Sequence, residues 1–385
     1  MRIASFIILL LTLAAPSRAA FDPLAFIIYG DLPYSMEGKP VLVTDGRSDQ
    51  QVFDQDIRPA IHDRAGADFV IHIGDLGRPE TSCADADVTR NLGIWQQFGK
   101  PVFYTIGDNE WIDCIRSSVP GGAKMPLERL ANLRSVLFSD TALASYQGHP
   151  AGWTIRHSVG GLLENTIWTT ANPVAAFVAV HVVSSCNGRD TFAKQPCKTE
   201  PDLGMDEVTK ALVLDAADRD RRNLVALREA YAQAETEHRA VLVIAIQADP
   251  FGKPEDDAKH PADIWARCKA QTEFKPYCDV LPGLAAAFSG TTLLIHGDTS
   301  AYCFEQLPLE GAKPGHQFWR LNTPGDFGEI DASVVTIAAG ADGVATIKAT
   351  GLLSGEPAPP VCDQAQYAFK KNGTAKAYPR PAAGR

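Results

Sequence analysis

Four apolar runs in this chain, residues 26–31, 69–75, 101–108 and 292–298, each end in Gly-Asp, which puts Asp31, Asp75, Asp108 and Asp298 at equivalent positions. Carboxylates are acceptors and hard ligands. Gathered in one place they repel one another unless cations sit between them or some hold protons. The glycine before each Asp lets the chain turn sharply and approach a ligand closely. A single Gly-Asp is ordinary turn chemistry. Repetition after four apolar runs points instead to one shared site, because buried strands of an α/β sheet end at a common edge where loops form the ligand crevice.

The elements that must position these residues follow from periodicity. A helix over 51–65 leads from the first run to the second, and another over 84–98 leads from the second to the third. Strand–helix–strand order of this kind suits a parallel sheet with covering helices. Residues 111–125, rich in Gly and Pro, read as a loop, and 126–138 as an amphipathic helix. Strands are expected over 153–157, 163–169 and 175–183, followed by a polar rim loop over 184–203. A long helix over 206–237, broken near Asp218, feeds a buried strand over 240–246 that ends at Gln247. Its cluster Arg219, Asp220, Arg221 and Arg222 reads as a solvated face. Residues 250–282 read as irregular and partly covering the site, and 333–338 with 344–349 as a hairpin around Gly-Ala-Asp-Gly. His72, His181 and His296 sit within strands and read as core or supporting residues, with His296 held as a reserve ligand.

The motif order resembles that of the calcineurin-like metallophosphoesterases, over about residues 26–304. That family runs D-x-H, G-D, G-N-H-[DE], a lone His after a strand, then G-H-x-H. Here the first motif is Asp31-Leu32-Pro33, with Pro in place of a metal-binding His, and the second, Gly74-Asp75, is intact. The third is Gly107-Asp108-Asn109-Glu110, so Asp108 replaces an Asn ligand and Asn109 the His taken as general acid. Gln247 stands for the lone His, and Asp298 and Ser300 for the final pair. The chain looks closest to a divergent secreted subgroup with Gly-Asp-Asn-Glu-Trp and His-Gly-Asp-Thr signatures. The resemblance implies a four-layer αββα sandwich of two mixed sheets flanked by helices, in agreement with the α/β reading of the periodicity. It implies Asp31, Asp75, Asp108, Gln247 and Asp298 as metal ligands, with Asp75 bridging two ions. It puts Asn109 and Glu110 in catalytic positions around them, and Arg116, just after the third motif, is the further catalytic candidate on grounds of charge.

These substitutions change the chemistry. Two divalent ions on the family's usual ligands leave roughly +2 to attract phosphate, whereas the four carboxylates here would bring the total to roughly zero. Arg116 and Arg78, just after the third and second motifs, are the candidates to restore positive charge, and both also read as ordinary surface arginines. A carboxylate and amide ligand set favours Mn, Mg or Ca over Zn. Water is the expected nucleophile. Loss of the His acid at Asn109 slows departure of a poor leaving group, since acid catalysis is worth about 10²–10⁴-fold. Glu110 reads as orienting a loop or ligand, and Trp111 as packing.

The chain ends and composition set the compartment. Residues 1–19 combine a basic start, an apolar core and small residues before Ala20, the pattern of a secretory signal peptide. Residues 20–351 then form the metallophosphoesterase-like domain and 352–385 a largely irregular C-terminal tail. Eight cysteines in an exported chain favour disulfides. Short loops suggest Cys186–Cys197 and Cys268–Cys278. Cys83 and Cys114 each follow a Gly-Asp strand end, which leaves Cys303 with Cys362. A net charge of −10 argues against nucleic acid as a partner, and no later run reaches the ~20 apolar residues of a membrane span. The expectation is an exported, periplasmic or secreted, metal-dependent phosphoesterase, with two divalent ions and a small phosphomonoester or phosphodiester substrate. The alternative is a catalytically impaired binding protein, or a structural metal-binding protein, of the same fold.

Overall fold

The computed structural model describes residues 22–116, 125–138, 150–189, 197–252, 263–340, 344–362 and 374–378. The expected signal peptide lies outside them. Strand β1 (Leu24–Tyr29) is followed by α1 (Asp49–Val52), a π-turn (Phe53–Ile57) and α2 (Arg58–Asp63). The first helix starts at a reciprocal cap. The Ser48 hydroxyl accepts from the Gln51 N–H, and the Gln51 side chain accepts from the Ser48 N–H. Next come β2 (Val70–His72), α3 (Pro79–Ser82), α4 (Asp85–Gln96), β3 (Val102–Tyr104) and α5 (Pro126–Leu137). The second half holds β4 (Thr154–His157), β5 (Thr166–Thr169), β6 (Ala175–Ala179), a single turn α6 (Ser184–Gly188), α7 (Glu207–Thr236) and β7 (Val241–Ala245). It continues through α8 (Ile264–Ala270), α9 (Lys275–Ala287), β8 (Thr291–His296), β9 (Cys303–Leu307) and β10 (Gln317–Asn322). The chain closes with β11 (Glu329–Ile330), β12 (Ser333–Ala339), β13 (Ala345–Gly351) and β14 (Lys376–Ala377).

Two mixed sheets result, ordered β13-β12-β1-β2-β3 and β4-β5-β6-β7-β8-β10-β9, beside a small β11-β14 pair. Strands β1, β2 and β3 are mutually parallel, as are β6, β7, β8 and β10. Alternation along the strands assigns the layers. Phe26, Ile28, Phe69, Ile71 and Phe103 of the first sheet meet Trp168, Phe177, Val243, Leu293 and Ile295 of the second. The rings of Phe103 and Trp168 stack with centroids 3.8 Å apart. The opposite face of the first sheet (Ile27, Tyr29, Val70, Tyr104) packs on Val52, Phe53, Trp95, Leu130 and Leu133. That of the second (Val178, Ile244, Leu294, Phe318) packs on Leu227, Ala230, Tyr231, Trp265 and Leu281. The arrangement is an αββα sandwich, helices outside and two sheets within. Each large apolar side chain so buried is worth about 1.5–3 kcal/mol.

Three readings of the sequence are corrected. Helix α7 runs unbroken for 30 residues. Its Arg219 and Asp220 are buried at 1% and 5% exposure and do not lie on a solvated face. Both find polar partners in the interior, while Arg221 and Arg222 stay toward solvent with Asp218, so the charge run does not break the helix. Within 250–282, the described residues include α8 and most of α9, with Pro282 inside the latter. The apolar stripe Tyr277, Cys278, Leu281 and Ala285 docks on the second sheet, and the Cys268–Cys278 bridge ties the two helices together. This tertiary support outweighs the helix-breaking tendency of proline. Strands β9 and β10 were absent from the reading of the sequence altogether. The hairpin stands as expected, with Ile337 opposite Ile347. All four cysteine pairs form the expected disulfides.

Candidate metal centre

The carboxyl ends of the parallel strands of both sheets converge. Asp31 follows β1, Asp75 follows β2 and Asp108 follows β3, while Gln247 follows β7 and Asp298 follows β8. Asp31, Asp75 and Asp298 each bring a carboxylate oxygen within 4.8 Å of the other two. All three adopt left-handed backbone angles, with φ of 53°, 54° and 64°, a conformation that Asp tolerates better than most residues. Glycine is needed beside them for a steric reason. A Cβ on Gly107 would lie 2.1 Å from Asp75 Oδ1, and one on Gly297 would lie 2.3 Å from Asp31 Oδ2.

Hydrogen bonds link the motifs. The Asp298 N–H donates to Asp31 Oδ2 at 3.2 Å. Gln247 Nε2 donates to Asp298 Oδ1 at 2.9 Å and to Asp108 Oδ1 at 3.3 Å, while its Oε1 accepts from the Ser184 N–H at 2.9 Å. Asn109 donates through Nδ2 to Asp75 Oδ2 at 2.9 Å and to the Gly77 carbonyl at 3.1 Å. Glu110 is fully buried. Its Oε1 accepts from the N–H groups of Asp75 (3.1 Å) and Gly107 (2.9 Å) and from the Tyr104 hydroxyl, so it staples the second turn to the third. Its Oε2 has no hydrogen-bond partner among the described residues.

Burial and mutual repulsion dominate the electrostatics. Burial pushes Asp31 up to about 7, with the Asp108 charge adding and the Asp298 N–H and Tyr34 hydroxyl opposing. Asp75 and Asp298 are driven well above the carboxylate range by burial and then by their acidic neighbours, Asp108 and Asp31 first. Without a cation, the cluster therefore holds protons. Hard oxygen donors brought this close, repelling and buried, fit a divalent cation of the Mg, Mn or Ca kind.

Several residues of the site escaped the reading of the sequence. The buried Tyr34 hydroxyl lies 2.6 Å from Asp75 Oδ2, to which it donates, and 3.3 Å from Asp31 Oδ1. Ser184 donates to Asp298; the Ser185 hydroxyl lies 2.6 Å from Asp108 Oδ2, to which it donates, and 3.0 Å from Asp113 Oδ1. Burial raises Asp113 to about 8, with Asp108 contributing and Arg116 opposing. Asp326 joins the same field; burial and then Asp31 and Asp108 push it well up. Its signal was present, since Gly325-Asp326 is a fifth Gly-Asp, displaced from its strand, β10, by Thr323-Pro324.

The other expected residues are placed as follows. Arg116 pairs with Asp113. Arg78 stacks on Phe327 with its guanidinium carbon 5.0 Å from the ring centroid, and Phe327 in turn lies against Tyr34. Trp111 is buried against His181, with Arg219 over its ring. His72 lies on the helix-facing side of the first sheet among Tyr29, Trp95 and Tyr104. His296 occupies the equivalent side of the second sheet near Phe251, 3.8 Å from Asp249. Burial pushes His72 down to about 3 and His296 to about 4.

No family model matches this chain, and no curated protein does. Among solved structures, one titled as the structure of PhoD aligns at 11% identity with a TM-score of 0.44, covering 95% of this chain and 75% of its own. A 5'-nucleotidase from Candida albicans SC5314 aligns at 9% identity with a TM-score of 0.33, covering 86% of this chain and 51% of its own. At these values the likeness bears on neither substrate nor mechanism.

Proposed function

We propose that this chain is an exported, metal-dependent phosphoesterase of the calcineurin-like metallophosphoesterase kind, hydrolysing a small phosphomonoester or phosphodiester. The observation that carries the reading is the convergence of Asp31, Asp75 and Asp298 within 4.8 Å, with Asp108 and Gln247 bonded into the same cluster. Asp31, Asp75, Asp108, Gln247 and Asp298 would hold two divalent ions, Mn, Mg or Ca in preference to Zn. Bound there, such ions would acidify a water and polarise the phosphoryl group.

The chain's own residues divide the remaining tasks. Asn109 and Tyr34 fix the orientation of Asp75. Glu110 holds the turns that carry Asp75 and Asp108. Arg116 balances Asp113. Arg78, which makes no side-chain hydrogen bond or ion pair among the described residues, keeps its guanidinium available for a phosphoryl oxygen. Four disulfides suit an oxidising compartment.

A second reading, a binding protein that has lost turnover, rests on Asn109. Both of its amide protons are committed, to Asp75 and to the Gly77 carbonyl. An amide is too weak an acid to protonate a leaving group, and these bonds fix it as a positioning group for Asp75, so the position expected for a general acid supplies none. The two readings separate in one experiment. The purified mature protein is dialysed against Mn²⁺, Mg²⁺, Ca²⁺ and Zn²⁺, its metal content is measured by mass spectrometry, and it is assayed on phosphoesters of graded leaving-group basicity. Two equivalents of Mn²⁺, Mg²⁺ or Ca²⁺ with hydrolysis of activated esters is the expected result. Bound metal without turnover on any ester favours the binding protein, and no bound metal overturns the phosphoesterase and leaves the binding protein as the reading to pursue.

A further inference from the structure

The strained segment of the molecule at this site is not one of the Gly-Asp turns. In α6, three successive non-glycine residues are left-handed: Ser185 at φ 52°, ψ 55°, Cys186 at 56°, 37° and Asn187 at 52°, 47°. L-residues visit this region singly, and runs of it are disfavoured at every step. Such conformations persist only where the surroundings over-determine them, and they cluster at functional sites.

Here the surroundings do so. The Cys186–Cys197 disulfide anchors the turn on one side. Asn187, fully buried, accepts from the Val183 N–H through Oδ1 at 3.2 Å and donates through Nδ2 to Asp220 Oδ1 at 2.6 Å. Asp220 also accepts from Arg189 and from the Tyr277 hydroxyl. Arg219 donates to the Asn187 carbonyl. A Cβ on Gly188 would meet the Trp111 ring at 2.5 Å, so the end of the turn is pressed against that indole. The other side of the turn faces the carboxylates, where Ser184 contacts Asp298 and Ser185 contacts Asp108 and Asp113.

We propose that α6 is a built part of the site: the buried clamp from α7 holds the turn in a strained conformation so that Ser185 positions Asp108, and Ser184 positions Asp298, for cation binding. The proposal rests on the reading of the carboxylate cluster as a cation site. Ser185 is a positioning residue in this scheme. Its hydroxyl selects one oxygen of Asp108 and leaves the other toward Gln247.

The test uses the mature, disulfide-bonded chain stripped of metal, titrated with Mn²⁺ and melted without it. Ser185→Gly removes the hydroxyl and also relieves the left-handed strain, whereas Ser185→Ala removes the hydroxyl alone. Both variants are expected to weaken Mn²⁺ binding by about 10–100-fold, the usual cost of losing a group that orients a ligand. Ser185→Gly is expected to melt roughly 2 °C or more above Ser185→Ala in the metal-free state. Ser185→Gly thus regains stability over Ser185→Ala without regaining Mn²⁺ affinity, a separation that a merely structural role does not produce. Unchanged Mn²⁺ affinity in both variants overturns the positioning role. Equal melting temperatures overturn the stored strain. Failure of the wild-type chain to bind Mn²⁺ overturns the cation site itself, and is distinguished from the other two by being seen before any substitution.

Discussion

Asp75 is the most heavily engaged carboxylate of the cluster. It accepts from the Tyr34 hydroxyl, the Asn109 amide and the Asn109 N–H, and its own N–H is held by Glu110. Asp75→Asn keeps the shape but removes the charge. It is expected to abolish nearly all hydrolysis and to lower metal stoichiometry, and unchanged turnover would sink the proposed mechanism. The protonation state of the cluster supplies a second prediction. The folded value for Asp31, about 7, lies above its ordinary value of 3.8. The folded chain thus binds more protons than the unfolded one between these values, and stability falls as pH rises through this window. His72 and His296, held below their ordinary value, act in the opposite direction up to about pH 6.5, so the comparison is made with Asp31→Asn, in which their contributions cancel. From pH 5 to 7 the chelated wild-type chain is expected to lose Tm relative to that variant, and a difference that does not change with pH would contradict the assignment. The four Gly-Asp carboxylates were legible because their signal is local, a turn after an apolar run. Tyr34, Ser184 and Ser185 were not, because a lone hydroxyl has no sequence signature until the fold sets it against a carboxylate.

At the scale of elements, disulfides border the site on two sides. Cys83–Cys114 joins segments that follow the second and third Gly-Asp turns, and both sulfurs lie beside the Asn109 carbonyl. Cys186–Cys197 anchors α6. Replacing Cys186 and Cys197 together with Ser is expected to cost about 2–4 kcal/mol of stability and to lower Mn²⁺ affinity. Chemical denaturation and cation titration of the double variant check the two effects separately. Removing Cys268 and Cys278 instead, in the helices outside the second sheet, should cost stability while leaving Mn²⁺ affinity as it was. The long helix over 206–237 was legible from its periodicity. The burial of Arg219 and Asp220 was not. A run of alternating charges reads as solvated until Asn187, Arg189 and Tyr277, remote in sequence, are found to be its partners. Helix α9 was obscured for a related reason: its prolines dominate the local signal, while the stripe that holds it shows its value only against the second sheet.

At the scale of the whole molecule, the site exists because two parallel sets of strands, one in each sheet, end at the same place. The contact that holds the sheets together is aromatic: Phe69 lies at its centre, stacked on Phe26 and edge-on to Phe103 and Phe177. Phe69→Ala is expected to cost about 3–5 kcal/mol, and to weaken Mn²⁺ binding as the two strand edges lose their mutual alignment. Unfolding of the variant with and without the cation measures both effects. The wild-type chain should itself gain about 2.7 kcal/mol at a Mn²⁺ concentration 100 times the Kd, by mass action on the folded state.

The amino-acid sequence by itself determined the α/β order and the strand ends that carry Asp31, Asp75, Asp108 and Asp298, and it suggested the two cysteine pairs that close short loops. These are properties of short segments, of hydrophobic period, turn residues and loop length, and they survive without knowledge of neighbours. Only the tertiary structure decided which side of each strand His72 and His296 occupy, that Asp326 and Asp113 join the acidic field, and that a strained turn from a different part of the chain faces Asp108. Those are relations between segments far apart in sequence. They depend on how one sheet lies on the other, and on buried partners that make a costly conformation the stable one.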